Sequence, residues 1–289
     1  MRARRSQSHL ARQTISDFGD QWQRYTDNEG YYGDVGVLEG TLRPLLKLDD
    51  LRGKRIAEIG SGTGRIVSML LQAGAKEVTA IEPSAAFEVL KRNLVQHADR
   101  VVFLNKAGHE IPTDGQYDFV VSIGVIHHIP DPRPVIAASL RALAPGGRII
   151  VWLYGKEGSG LIVSGIRALR ALTTRLPHFF VAAIAHFLLL ALDVYIVACR
   201  LLPGLPLGDY IRNVLGRFSR SKRYLVVYDQ LRPAYAKYYS EAEARGLLES
   251  NGFADVQLHF RHGYSWTVVG TRRDKSLERG LESHPAQVA

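Results

Sequence analysis

A chain of 289 residues with 46% hydrophobic and 22% charged content can bury one good core plus an elaboration, and its length does not require two domains. A single cysteine, Cys199, excludes an internal disulfide and a zinc site built from several thiolates. The net charge of +9 invites a nucleic-acid reading, but residues 160–224 hold nine Lys/Arg against Asp193 and Asp209 in a segment that is apolar, which suits a membrane surface better than a nucleic-acid groove.

The first residues, MRARRSQSHLARQ, are basic and lack the apolar stretch of a secretory signal, so a disordered start over 1–15 and a cytoplasmic protein are expected. An aromatic cluster follows, with Phe18, Trp22 and Tyr25, then Tyr31 and Tyr32. Leu38 to Leu46 reads as a helix interrupted near Pro44. From Lys54 onward strands alternate with helices, the mark of a parallel sheet with helices on both faces. Strands are expected near 54–59, 77–82, 100–105, 117–122 and 147–154, with helices near 63–74, 84–97 and 132–144.

Within that alternation Ile56 to Ile59 runs into Gly60, Gly62 and Gly64, and an apolar helical pattern starts behind them. Glycine lets bare backbone approach a ligand, and a helix start offers free N–H groups. Such a turn takes either a dinucleotide pyrophosphate or the amino-acid end of S-adenosylmethionine (SAM). The spacing is G-x-G-x-G followed by Arg65, so the third glycine of G-x-G-x-x-G is missing. Glu58, two residues before Gly60, would repel a pyrophosphate but neutralise the ammonium of SAM.

The pattern E-x-G-x-G-x-G resembles the first motif of class I SAM-dependent methyltransferases. Val78–Glu82 is an apolar strand ending in an acid, where that family places a ribose-binding carboxylate. Tyr117–Ser122 followed by Gly124–Pro132, and Leu143–Val151, resemble the fourth strand, its loop and the fifth strand of the ubiquinone-biosynthesis-like branch, methyltransferase type 11/12. The resemblance implies a doubly wound, mostly parallel seven-stranded α/β sheet of Rossmann-like form. It implies SAM as cofactor, bound by Glu58, Gly60, Ser61, Gly62, Gly64, Glu82, Ala107 and Ser122. It also implies that the aromatic N-terminal segment closes over the pocket, against the plainer reading of a helix packed on the sheet edge. One position departs from the pattern: Asn105-Lys106-Ala107 stands where the family has Gly-Asp-Ala, so adenine would meet the backbone at Ala107 or Lys106 would point away.

Between the fifth strand and the closing elements lies an insertion that a minimal methyltransferase lacks. Phe179 to Arg200 would make a helix of roughly 32 Å, long enough to span a bilayer, but His186, Asp193 and Arg200 recur every seven residues as one polar stripe. A lone Asp193 at mid-bilayer costs about 2.5–3.5 kcal/mol, so a single span is disfavoured. A buried helix, a lid over an apolar substrate and an interfacial element remain. Pro203 and Pro206 end the helix, and Arg217, Arg220, Lys222 and Arg223 follow as a basic cluster. Ser240 and Glu243 form a capping box, and Phe253–Arg261 with Tyr264–Thr271 form a hairpin that closes the sheet.

The resulting division is 1–40 tail and aromatic cap, 41–155 SAM-binding core, 156–225 helical insertion, 226–272 completion of the core and 273–289 mobile tail. No metal-ligand spacing appears. His127 and His128, at the carboxyl end of the fourth strand, are the candidate catalytic bases, because imidazole titrates near neutral pH. Methyl transfer to oxygen or carbon of a small, hydrophobic or lipid-like acceptor is expected, with an anionic membrane surface meeting 160–224 and nucleic acid disfavoured. The alternatives are a non-catalytic SAM-binding membrane-docking module and an NAD-dependent oxidoreductase.

Overall fold

The computed structural model describes residues 2–157, 160–174, 176–202 and 204–274; the expected mobile tail falls almost wholly outside them, as do Gly158 and Pro203. Seven strands form one sheet in the order β3-β2-β1-β4-β5-β7-β6. They are β1 (Arg55–Ile59), β2 (Glu77–Ile81), β3 (Val101–Leu104), β4 (Tyr117–Ile123), β5 (Leu143–Tyr154), β6 (Ala254–Arg261) and β7 (Ser265–Thr271). The first five pair in parallel, and β7 runs antiparallel between β5 and β6. The strand order reverses between β1 and β4, and ligands of open α/β sheets bind at that switch point, outside the carboxyl ends of the strands.

Helices α3 (Arg65–Gln72), α4 (Phe87–Asn93) and α5 (Arg133–Ala142) cover the faces, and α10 (Glu241–Glu249) packs on β6 and β7. The Ser240–Glu243 box forms as expected, with the Glu243 N–H donating to Ser240 Oγ at 3.3 Å and the Ser240 N–H to Glu243 Oε2 at 2.9 Å. Three boundaries differ from expectation. Helix α4 stops at Asn93 because buried Leu94 leaves the helical region and wedges against Gly64. Helix α2 (Val35–Leu42) ends before Pro44, since Arg43 is forced into extended backbone ahead of the proline ring. And β5 begins at Leu143, four residues early, through an irregularity in its pairing with β4.

The largest correction concerns the N-terminus. Residues Arg2–Arg24 form one helix, α1, where disorder was expected over 1–15. Thr14, Asp17 and Gln21 are buried along it, and Ala11, Ile15, Phe18 and Trp22 recur at helical spacing on the same inner side.

The insertion folds as α6 (Gly160–Thr173), α7 (His178–Leu201), α8 (Gly208–Asn213) and α9 (Arg220–Leu231). Its inner residues Ile196, Cys199, Ile211 and Phe218 join the same apolar cluster as Ile56 and Val78 of the sheet. Val181, Ala185 and Leu189 of α7 pack on Tyr224 and Tyr228 of α9. The polar stripe of α7 turns toward α9: Asp193 takes Arg220 at 3.0 Å and Arg223 at 2.9 Å, and the His186 ring lies 4.5 Å from Tyr224. Lys222 of the basic cluster is buried against Asp27 at 2.6 Å. The basic cluster is therefore mostly consumed by internal ion pairs.

Candidate active site

The turn behind β1 holds Gly60, Gly62 and Gly64 at φ +80°, +52° and +85°, a region that side-chain-bearing residues rarely enter. A Cβ on Gly60 would stand 2.4 Å from Val125 Cγ2, so only bare backbone passes beneath the loop after β4. The Glu82 carboxylate, at the end of β2, accepts the Gly62 N–H at 2.8 Å and the Ser84 N–H at 2.9 Å. Asn28 and Asn93 hold the turn from the other side, both donating to the Thr63 carbonyl, at 3.0 and 2.9 Å. Neither asparagine stands out in sequence, because each is an ordinary loop or helix-end residue until the fold brings it to Thr63.

A cavity of about 780 Å³ opens from this turn. Gly60, Ser61, Gly62, Glu82, Ala107 and His128 line its sheet end. Phe18 and Trp22 of α1 cover it, with the indole nitrogen 3.3 Å from where a Gly62 Cβ would lie. The N-terminal helix is thus a cap over the notch. Residues of the insertion, among them Leu169, Leu188, Leu192 and Phe218, form the far, apolar wall.

Four of the expected site residues do not line the cavity. Gly64 is the left-handed residue before α3 and faces Leu90 and Leu94. Ser122 is fully buried, its hydroxyl donating to the Ile59 carbonyl at 3.3 Å, so it ties β4 to β1. His127 is fully buried under the Tyr154 ring at 4.0 Å, and neither ring nitrogen has a hydrogen-bond partner among the described residues. Burial and the neighbouring His128 push its pKa well below the usual imidazole range, and the ring packs in the interior away from the cavity. Glu58 lies one layer behind the turn, 1% exposed, with both carboxylate oxygens unpartnered among the described residues. Burial, reinforced by the nearby Glu82 charge, raises its pKa to about 8. Lys106 is exposed and turned away, leaving Ala107, Gly108 and His109 on that wall.

His128 does line the cavity. Its Nδ1 sits 2.8 Å from the Tyr235 carbonyl, which accepts a hydrogen bond from the Nδ1–H and so fixes the tautomer with Nε2 unprotonated. Burial lowers its pKa to about 4.

Residues 57–151 match the family model described as a methyltransferase domain. Over those residues the chain is similar to class I SAM-dependent methyltransferases. Ubiquinone biosynthesis O-methyltransferases of Klebsiella pneumoniae (strain 342) and Escherichia coli (strain K12 / DH10B) are each 25% identical over 146 residues, 45% of this chain. The alignment covers 60% of the length of those curated relatives. Among solved structures, magnesium protoporphyrin IX methyltransferase from Synechocystis PCC 6803 with bound S-adenosylhomocysteine (SAH) matches at TM-score 0.50 and 19% identity, covering 88% of this chain and 93% of that one. The structure of PigF with SAH matches at TM-score 0.52 and 14% identity, covering 89% and 62%. These likenesses establish the fold.

The methyltransferase domain's own residues fit the cofactor that its family uses. Glu58 is a buried carboxyl without a partner among the described residues, which a cation brought close would ionise, and the glycine turn is a cradle that a Cβ at Gly60 would fill. A nicotinamide dinucleotide fits worse, since its pyrophosphate would bring negative charge beside the Glu82 carboxylate that already occupies the Gly62 N–H. Glu82→Ala removes the carboxylate on the cavity wall and frees the Gly62 and Ser84 N–H groups that it now holds. SAH binding should weaken by about 1–3 kcal/mol in calorimetry. Equal affinity would remove Glu82 from the site.

Proposed function

We propose that this chain transfers a methyl group from SAM to oxygen or carbon of a small, hydrophobic acceptor held under the helical insertion. The observation that carries the reading is the continuity of one cavity, from the glycine turn and Glu82 to the apolar wall made by α6–α9. Bound SAM supplies an electrophilic methyl on a sulfonium. The chain's part is to orient donor and acceptor, to exclude water with α1 and the insertion, and to receive a proton when the acceptor carries one. Glu58 answers the ammonium, Glu82 the ribose, and the backbone around Gly60–Gly62 the chain between them.

His128 is the group suited to receive the proton, because its bare Nε2 is the free ring nitrogen and its low pKa keeps it neutral. His128→Ala should lower kcat by about 100-fold or more while SAH affinity stays within a factor of two. A base role predicts activity falling as pH drops through about 4, where the imidazole becomes cationic. Unchanged turnover in the variant would leave His128 as a loop-shaping residue.

The function itself is tested by incubating the protein with labelled SAM and a lipid or metabolite extract of its host, then identifying the labelled product by mass spectrometry. SAM binding without any labelled product would favour the non-catalytic docking module.

The outer face of α7 supports the peripheral membrane reading, at the inner face of the membrane. Residues 179–201 are long and apolar enough to cross a bilayer, yet Asp193 pins the helix to α9. Only 22% of that span is buried, and Phe180, Phe187, Leu190, Val194, Val197 and Leu201 form an exposed stripe at helical spacing. The basic cluster beside it is mostly engaged in internal ion pairs, so the apolar stripe carries this reading. Leu190→Glu with Val194→Glu should lower co-sedimentation with phosphatidylglycerol vesicles at least tenfold. Concentration-dependent dimerisation, lost in the same variant, would instead assign the stripe to a second copy.

A further inference from the structure

The cavity contains a carboxylate that neither the glycine turn nor His128 employs. Asp229, on α9, lines the cavity among Val226, Val227 and Leu231 of its own helix. Its Oδ1 accepts from Gln21 Nε2 of α1, and Oδ2 accepts no hydrogen bond among the described residues. The other end of the same amide, Gln21 Oε1, is buried without a partner as well. Asp229 Oδ2 is thus an acceptor without a donor among the described residues, on a cavity whose wall is mostly apolar. Unpaired acceptors in such surroundings cost free energy that a ligand's donor removes.

The two arginines whose charge reaches Asp229 are engaged elsewhere. Arg65 donates to the Tyr32 carbonyl at 3.2 Å and lies over the Tyr32 ring, and Arg170 donates to the Gln230 carbonyl at 2.9 Å. Neither forms an ion pair with it among the described residues. Their positive field nevertheless disfavours a cationic ligand there, which points to a neutral donor. Burial raises the Asp229 pKa to about 6, so it is mainly ionised at neutral pH and ready to accept.

We propose that Asp229, held by Gln21, is the acceptor-binding residue, and that it selects an otherwise apolar molecule carrying a hydroxyl, a phenol or an alcohol. The inference rests on the methyltransferase reading and names its substrate class. The hydroxyl donates to Oδ2 while the apolar remainder lies against Leu188 and Leu192 of α7. The bridge from Gln21 to Asp229 also joins the N-terminal cap to the insertion, so the two covers of the cavity meet at the acceptor.

The test uses the full chain loaded with SAH and two probes of one skeleton, 2-naphthol and naphthalene, titrated by fluorescence. Wild type should prefer 2-naphthol by tenfold or more. Asp229→Leu should reduce that preference to twofold or less while SAH affinity is retained. Asp229→Asn, which keeps an acceptor oxygen, should fall between the two and serves if the leucine variant fails to fold. Absence of the hydroxyl preference in wild type, or its survival in both variants, overturns the proposal. Failure of wild type to bind SAH would instead sink the methyltransferase reading beneath it.

Discussion

Gly62→Val should abolish SAM and SAH binding, by at least about 100-fold, in a protein that still folds. Gly62 adopts φ +52°, where a β-branched side chain is strained by about 1–2 kcal/mol. Its N–H donates to the Glu82 carboxylate at 2.8 Å, and shifting the turn to relieve the strain weakens a bond to a charged group worth about 1.5–3 kcal/mol. The added Cβ would lie 3.3 Å from the Trp22 indole nitrogen, so the γ-methyls press on the cap as well as on the ligand space. Gly62→Ala separates the two effects, because it carries the backbone strain without the γ-methyls, and should lose less affinity. Calorimetry with SAH, alongside circular dichroism for folding, reads both. Unchanged affinity in the valine variant would refute the pocket assignment outright.

Glu58→Gln should act in opposite directions on the empty and the loaded protein. In the empty protein the carboxyl is 1% exposed and unpartnered among the described residues, and burial raises its pKa from 4.5 to about 8. A folded pKa above the unfolded one means that the native state holds the proton more tightly. This group's contribution is therefore most favourable below pH 4.5 and is lost as pH rises toward 8. At 1.36 kcal/mol per unit the loss is on the order of 5 kcal/mol by pH 8. Glutamine, which does not ionise, should raise the thermal midpoint of the empty protein at pH 8 and flatten its slope between pH 5 and 8. With SAM present the ammonium supplies the missing partner, so the same substitution should weaken binding, more at high pH than at low. Thermal scans across pH, with and without SAM, check both signs. Parallel slopes in the two proteins would mean that Glu58 is not the group being neutralised.

The parts of this fold legible in the sequence are those written locally. The glycine turn, the acid ending β2, the Ser240–Glu243 box and the closing hairpin each depend on residues close in sequence, and each forms where it is expected. What escaped was written across long separations. Helix α1 looks disordered because its inner stripe of Ala11, Ile15, Phe18 and Trp22 is thin and set among arginines; only the cavity beneath it explains the spacing. Lys222 reads as one cation of a basic cluster until Asp27, nearly two hundred positions earlier, is brought beside it. Asp229 sits on a helix whose sequence is dominated by basic residues and tyrosines, and nothing local marks it as facing inward. The paired histidines carried a signal that the fold divides: one ring turns into packing and the other toward the cavity.

The insertion leaves and rejoins the sheet at one spot. Gly155 bridges Tyr239, the Lys156 N–H donates to the Tyr239 carbonyl at 2.9 Å, and the Tyr239 N–H donates to the Tyr154 carbonyl at 2.8 Å. Because the two ends are already stapled together, the cost of closing the excursion between them grows only slowly with its length. The segment between the staples can therefore be lengthened or shortened at little closing cost, while the sheet and its glycine turn stay as they are.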